Sequence, residues 1–337
     1  MEKQRLLNAI KRKENDRPPC ICPGGMMNYA VRELMEWKQI LLPAAHADAK
    51  AMADLAAAAY EARCFENYGV PFCMTIEAEE LGARVDMGND CYEPRISEYA
   101  ISSVCEWQKL RSVAHENARK KVVTDAIGIL KQKSDGVPIV ANLTGPVSVA
   151  SSLMEPTVFY KELRKKNQES HELMGFVTGR LIEFGKAQLS AGADVIAISD
   201  PSGTGEIMGP KLFEEFTVQY INALLAGLRE AFPDIPAIVH ICGRMHKVYG
   251  LLNKLECDAL SFDALVNLVQ ARGHLPKHAI MGNVSTYAIE HGTPEKVARL
   301  AQKAALDGAD IVAPACGLGN SSPLANLQAM LIGLTSG

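Results

Sequence analysis

Short apolar runs recur along the whole chain, at residues 19–22, 70–75, 138–143, 194–199, 237–241, 259–262, 279–283 and 310–313, each stopping near a Gly, Pro, Asn, Asp or Cys. Runs of this length bounded by turn residues predict buried strands. Between them lie stretches with helical capping signals. Thr293-Pro294-Glu295 and Ser322-Pro323 each set a hydroxyl N-cap before a proline at the first helical position. The chain opens on an amphipathic helix over residues 1–13, with Leu6, Leu7 and Ile10 on one face, and an Ala-rich helix at 45–60 separates the first two strands. A longer segment, 77–136, predicts a small excursion plus one helix before the third strand. Eight strands alternating with helices argue for an α/β chain: a single (β/α)8 TIM barrel with an N-terminal helical extension and insertions between the early strands, rather than a doubly wound sheet. No repeat, low-complexity tract or linker divides residues 1–337, so they read as one domain.

With 337 residues, 48% of them hydrophobic and 22% charged, the chain has an ordinary globular composition and enough length to bury its own core. Its formal net charge is -4 and its pI is near 6.1, which gives no global attraction to phosphate. Nucleic acid and anionic membrane surfaces are therefore poor partners on charge. No run is long and apolar enough for a signal-peptide core or a membrane span, so a cytoplasmic protein is expected. Nine cysteines, an odd number scattered through a chain of this size, point to reduced thiols or metal ligands rather than a disulfide framework.

The candidate chemistry gathers at strand ends. Side chains two apart on a strand share a face, so His240 and Cys242 project together from the fifth predicted strand, and the eighth ends in Cys316. One imidazole and two thiolates form a soft three-ligand set that suits zinc and leaves a fourth position open, the pattern of a catalytic site. A His-x-Cys alone is weak, because buried Cys is common and a single buried His is more often a core residue than a ligand. The barrel adds weight, since active sites in this fold sit at the C-terminal ends of the strands, where all three residues fall. Other strand ends carry Thr75 with Glu77, Asn142 with Thr144, Asp200, and Asn283 with Ser285, so these are expected to line the same mouth. Plainer readings exist for the acids: Glu77 and Glu79 suit a helix N-terminus, and Asp200 before Pro201-Ser202-Gly203 suits a turn.

The motifs themselves are shared with a known family. Asp16-Arg17-Pro18-Pro19, Thr75-Ile76-Glu77-Ala78-Glu79, Leu143-Thr144-Gly145-Pro146, Ser199-Asp200-Pro201, His240-Ile241-Cys242-Gly243, Met281-Gly282-Asn283-Val284 and Ala313-Pro314-Ala315-Cys316-Gly317 span nearly the whole chain. The sequence resembles the uroporphyrinogen decarboxylase superfamily and, within it, the zinc-dependent methylcorrinoid:thiol methyltransferases. In that branch a His-x-Cys followed much later by a Cys binds zinc, which the resemblance carries onto His240, Cys242 and Cys316. The decarboxylase branch carries arginines just after the first strand, partners for a substrate rich in carboxylates. Here no arginine stands between Arg17 and Arg32.

The resemblance implies methyl transfer from a methylated corrinoid, held by a separate corrinoid protein, to a small-molecule acceptor such as coenzyme M, tetrahydrofolate or homocysteine. Asp200, Glu77 or Glu79 would act from behind the ligands, orienting His240 or the acceptor. The loop 22–28 would form part of the docking surface, and the helix beginning near Ser322 would point its positive end at an anionic group on the acceptor. A metal-free decarboxylase and a non-catalytic corrinoid-protein-binding protein are the alternatives.

Overall fold

The apolar runs become strands where both faces can be covered. The computed structural model describes residues 1–90, 92–113, 118–134 and 136–335. Its strands are β1 (Tyr68–Val70), β2 (Arg84–Asp86), β3 (Arg95–Glu98), β4 (Ile139–Thr144), β5 (Val195–Ser199), β6 (Ala237–Ile241), β7 (Ala259–Phe262) and β8 (Ala279–Met281). Strands β1, β4, β5, β6, β7 and β8 form one sheet in that order, every pair parallel. All their residues are buried, which explains why they read as continuous apolar runs rather than as alternating ones. The exception is the antiparallel pair β2 and β3, whose residues are exposed or half-buried.

Two further segments close the ring. Isolated parallel bridges join Met281 to Ile311 and Val312 to Cys20, with the Ile21 N–H donating to the Val312 carbonyl at 3.0 Å. On the far side the Glu66 N–H donates to the Cys20 carbonyl at 2.8 Å. The next rung is made by a side chain: the Cys22 N–H donates to Asn67 Oδ1 at 3.0 Å, and Asn67 Nδ2 returns a bond to the Cys22 carbonyl at 2.8 Å. The backbones come very close there, for a Cβ on Gly69 would lie 2.1 Å from the Pro23 carbonyl oxygen. The result is a (β/α)8 barrel.

Several boundaries depart from the pattern for local reasons. The run 70–75 is a strand only over Tyr68–Val70, because Pro71 has no N–H to extend the ladder. The Ala-rich helix begins at Ala49, where the Asp48 side chain accepts from the Ala51 N–H, and Leu42–Ala45 forms a separate turn before it. Segment 77–136 is richer than a single helix. It holds a short helix (Ile76–Glu80), the β2–β3 hairpin, and helices Trp107–Val113 and Ala118–Lys133. The N-terminal helix, Glu2–Ile10, is latched to the barrel by Arg5, which donates to Glu66 at 2.7 Å and to Asp16. Among the described residues no helix is long and apolar enough to cross a membrane.

Candidate metal centre

Strand β6 fixes the first candidate ligand. His240 is paired in register with Ser199 on β5 and Ser261 on β7, and it is 2% exposed. Its Nδ1 lies 2.9 Å from Ser261 Oγ, which leaves Nε2 facing Cys242 Sγ at 3.2 Å. Cys242 leaves the end of the strand on the same side. Cys316 arrives from the segment bridged to Val284, and its Sγ stands 3.9 Å from that of Cys242. The three donor atoms all lie within 4.8 Å of one another.

Tetrahedral zinc would separate two thiolate sulfurs by about 3.8 Å and a sulfur from an imidazole nitrogen by about 3.5 Å, given ordinary bond lengths. The donor set and its spacing fit that group. Both cysteines are half-exposed, whereas the imidazole is buried, so the cluster is closed behind and open in front. The thiols already share charge unequally. A hydrogen bond from Cys242, aided by His240, brings Cys316 down to about 4, and the same contact pushes Cys242 up.

The other predicted residues stand at strand ends, but the fold uses most of them to hold loops. Asp200 is fully buried. Its carboxylate accepts from the Ser148 N–H (2.7 Å), the Ser148 hydroxyl (2.6 Å) and the Val147 N–H (3.2 Å), capping helix Pro146–Ser152. Burial pushes it up to about 6 against those bonds. Its own N–H donates to the His240 carbonyl at 2.9 Å, so it supports His240 through the backbone. Glu77 is buried and accepts from the Thr144 N–H at 2.8 Å and hydroxyl at 3.0 Å, with burial raising its pKa. Glu79 is ion-paired to Arg119 at 2.8 Å, and Arg119 also donates to Thr75 Oγ1. Asn142 Nδ2 donates to the Pro23 and Val70 carbonyls. Asn283 Nδ2 donates to the Asp263 and Val266 carbonyls, and Ser285 caps helix Thr286–His291. Asn283 and Ser285 also line a cavity of about 240 Å³ with Leu300 and Ala304.

Two expectations about loops change. Segment 22–28 is buried apart from a half-buried Met26, tied down by Asn142 and by the Leu318 N–H on the Asn28 carbonyl at 2.9 Å. It is therefore a floor of the mouth rather than a docking surface. Helix Leu324–Thr335 has its first N–H taken by Glu33 at 3.0 Å, so that end is already occupied by a carboxylate.

Two residues not singled out by the sequence lie closer to the chemistry. Ser261 is the partner of His240, and the signal for it is a lone hydroxyl inside an otherwise apolar buried strand. Glu93, on the loop between β2 and β3, accepts from Asn28 Nδ2 at 2.7 Å. Burial, with a smaller contribution from the charge of Cys316, pushes it up to about 7 against the Asn28 bond. No pattern in the sequence marks a loop glutamate as inward-facing.

Known proteins of this shape carry the same architecture end to end. A methylcobamide:CoM methyltransferase from Methanosarcina acetivorans is 30% identical over 331 residues, 98% of this chain and 96% of that protein. Another from Methanosarcina barkeri is 27% identical over 333 residues, again 98% and 96%. The solved structure of a methyltransferase from Methanosarcina mazei superposes with a TM-score of 0.89 at 28% identity, covering 98% of this chain and 97% of that one. The uroporphyrinogen decarboxylase (URO-D) family profile matches residues 1–332, and the chain belongs to that family.

Proposed function

We propose that this chain is a methyltransferase that moves a methyl group from a methylated corrinoid, carried by a separate corrinoid protein in the cytoplasm, to the thiol of coenzyme M. In this reading His240, Cys242 and Cys316 hold zinc. The observation that carries it is the convergence of one imidazole and two thiols within 4.8 Å at the C-terminal mouth of the barrel, with the front of the cluster open. The names of the full-length relatives supply the donor and the acceptor.

Zinc bound there favours the thiolate form of an acceptor thiol near neutral pH while leaving it nucleophilic. The chain's own groups do the rest. Ser261 holds Nδ1 of His240 and would accept its proton when Nε2 binds the metal, so Nε2 is the atom presented to it. Two thiolates and a neutral imidazole balance a divalent cation, so the centre repels neither the acceptor sulfur nor its charge. Asn28 holds the Glu93 carboxyl in place, close enough for the charge of Cys316 to act on it. A decarboxylase acting on a substrate rich in carboxylates needs free arginines, and Arg17 is instead committed to Glu66 at 2.7 Å.

The test is zinc content and methyl transfer measured together on wild type and Cys316→Ala. With methylcobalamin as donor, the wild type is expected to hold about one zinc per chain and to methylate coenzyme M in preference to homocysteine or tetrahydrofolate. The variant is expected to lose both. Full zinc and full transfer in Cys316→Ala would overturn the assignment, as would decarboxylation by metal-free protein.

A further inference from the structure

An acceptor with an anionic tail meets carboxyl groups near the cysteines of this centre. The charge of Cys316 acts on the Glu93 carboxyl, and Asp263 Oδ2 accepts from the N–H of Gly243, the residue after Cys242, at 3.1 Å. The helix end at Leu324 is blocked by Glu33. Arg17, Arg95 and Arg119 are already paired, with Glu66, Asp86 and Glu79 respectively, so a cation for such a tail has to be another one.

The loop that leaves Cys242 supplies it. Residues Arg244, His246 and Lys247 are exposed, while Met245 between them is buried and anchors the turn. The acids beside this loop bind its backbone rather than its side chains. The Gly243 N–H donates to Asp263 Oδ2 at 3.1 Å, and the Arg244 N–H donates to Glu206 Oε2 at 2.9 Å. Gly243 has φ +87, and a Cβ there would lie 2.4 Å from Glu206 Oε2, so the close approach depends on a glycine. Two carboxylates thus hold the root of Arg244 in place, and among the described residues no acidic side chain pairs with its guanidinium. Residues 242 and 244 are two apart, so their Cα atoms are separated by at most about 7 Å. A two-carbon thiol whose sulfur sits at the cluster keeps its far end within reach of a long side chain rooted there.

We propose that Arg244 is the specificity-determining residue for the acceptor, selecting short thiols whose tail carries a sulfonate or carboxylate. This rests on the methyl-transfer reading of the same centre and adds the group that recognises the tail. A guanidinium fork matches either planar carboxylate or sulfonate oxygens, and a lysine would supply charge without the fork.

The experiment is calorimetric titration of zinc-loaded wild type, Arg244→Gln and Arg244→Lys with 2-mercaptoethanesulfonate, 3-mercaptopropionate and neutral 2-mercaptoethanol. The Kd of the two anionic thiols is expected to rise about tenfold or more in Arg244→Gln, with Arg244→Lys between, while that of 2-mercaptoethanol stays within about twofold. The ratio of the two anionic thiols on wild type tells sulfonate from carboxylate. Equal changes for all three thiols, no change for any, or wild type binding anionic thiols no better than the neutral one each overturn the inference. Methyl transfer from methylcobalamin is followed in parallel. If wild type binds the thiols yet methylates none, the methyl-transfer reading fails while the Kd pattern still decides the role of Arg244.

Discussion

His240 has two ring nitrogens, and its neighbours assign them different tasks. Ser261 takes Nδ1 at 2.9 Å and Nε2 is left toward the thiols, so one hydroxyl on the adjacent strand fixes the orientation of the ring. Replacing Ser261 with Ala is expected to weaken zinc binding by roughly 10–100-fold without unfolding the protein, as measured by competition with a chromophoric chelator. An unchanged affinity would remove Ser261 from the site. A second histidine shows the opposite situation. His46 is fully buried, neither ring nitrogen has a partner among the described residues, and burial, then the charge of Arg119, brings it down to about 3. Below about pH 6.5 the unfolded chain binds a proton that the folded one refuses, so acidification costs stability here. Between pH 6.5 and 5 a His46→Leu variant should gain roughly 1.6 kcal/mol on wild type, read from urea midpoints at the two pH values. A constant difference would show that His46 does not titrate in this way.

Among the elements, the seam between the first apolar segment and β1 is the one completed by a side chain. The other neighbours in the ring meet through backbone ladders or isolated backbone bridges, whereas here the backbone bond from the Glu66 N–H to the Cys20 carbonyl is followed by the Asn67 amide reaching both the N–H and the carbonyl of Cys22. Asn67→Ala leaves two buried backbone groups unpaired and should cost roughly 2–4 kcal/mol in urea unfolding. A loss below about 1 kcal/mol would mean that the seam is held elsewhere. The seam also matters to the site. The same segment continues into the floor that carries Asn28, the residue holding Glu93.

At the scale of the whole molecule, metal and fold are expected to be coupled only loosely. The candidate ligands stand at strand ends above a core that runs through every parallel strand, so the barrel does not depend on them to bury its apolar surface. Zinc at a thousandfold excess over its Kd stabilises the native state by about 4 kcal/mol through binding alone. Stripping it with a chelator should lower Tm by several degrees and leave the far-UV spectrum at 25 °C unchanged. Collapse of the spectrum would make the zinc structural rather than functional, and an unmoved Tm would argue that none binds.

Much of this was legible along the chain. The apolar runs locate the parallel strands because strands buried on both faces must be apolar throughout, and five of the six fall within a residue or two of their predicted limits. His240 and Cys242 could be paired by spacing, since alternation along a strand is a local rule. What the chain order does not contain is which polar group meets which. Asp200, Glu77 and Asn142 sit at strand ends as the pattern implies, yet they turn to the N–H and carbonyl groups of neighbouring loops, because a buried carboxylate or amide is costly until its bonds are made. Ser261 and Glu93 acquire their roles only when β7 lies beside β6 and the hairpin lies beside Asn28. The sequence by itself determined the barrel and the candidate donor set, because periodicity and donor chemistry are local. Tertiary structure alone decided the orienting partner, the floor of the mouth and the unpaired cation beside it, because these depend on contacts between segments far apart in the chain.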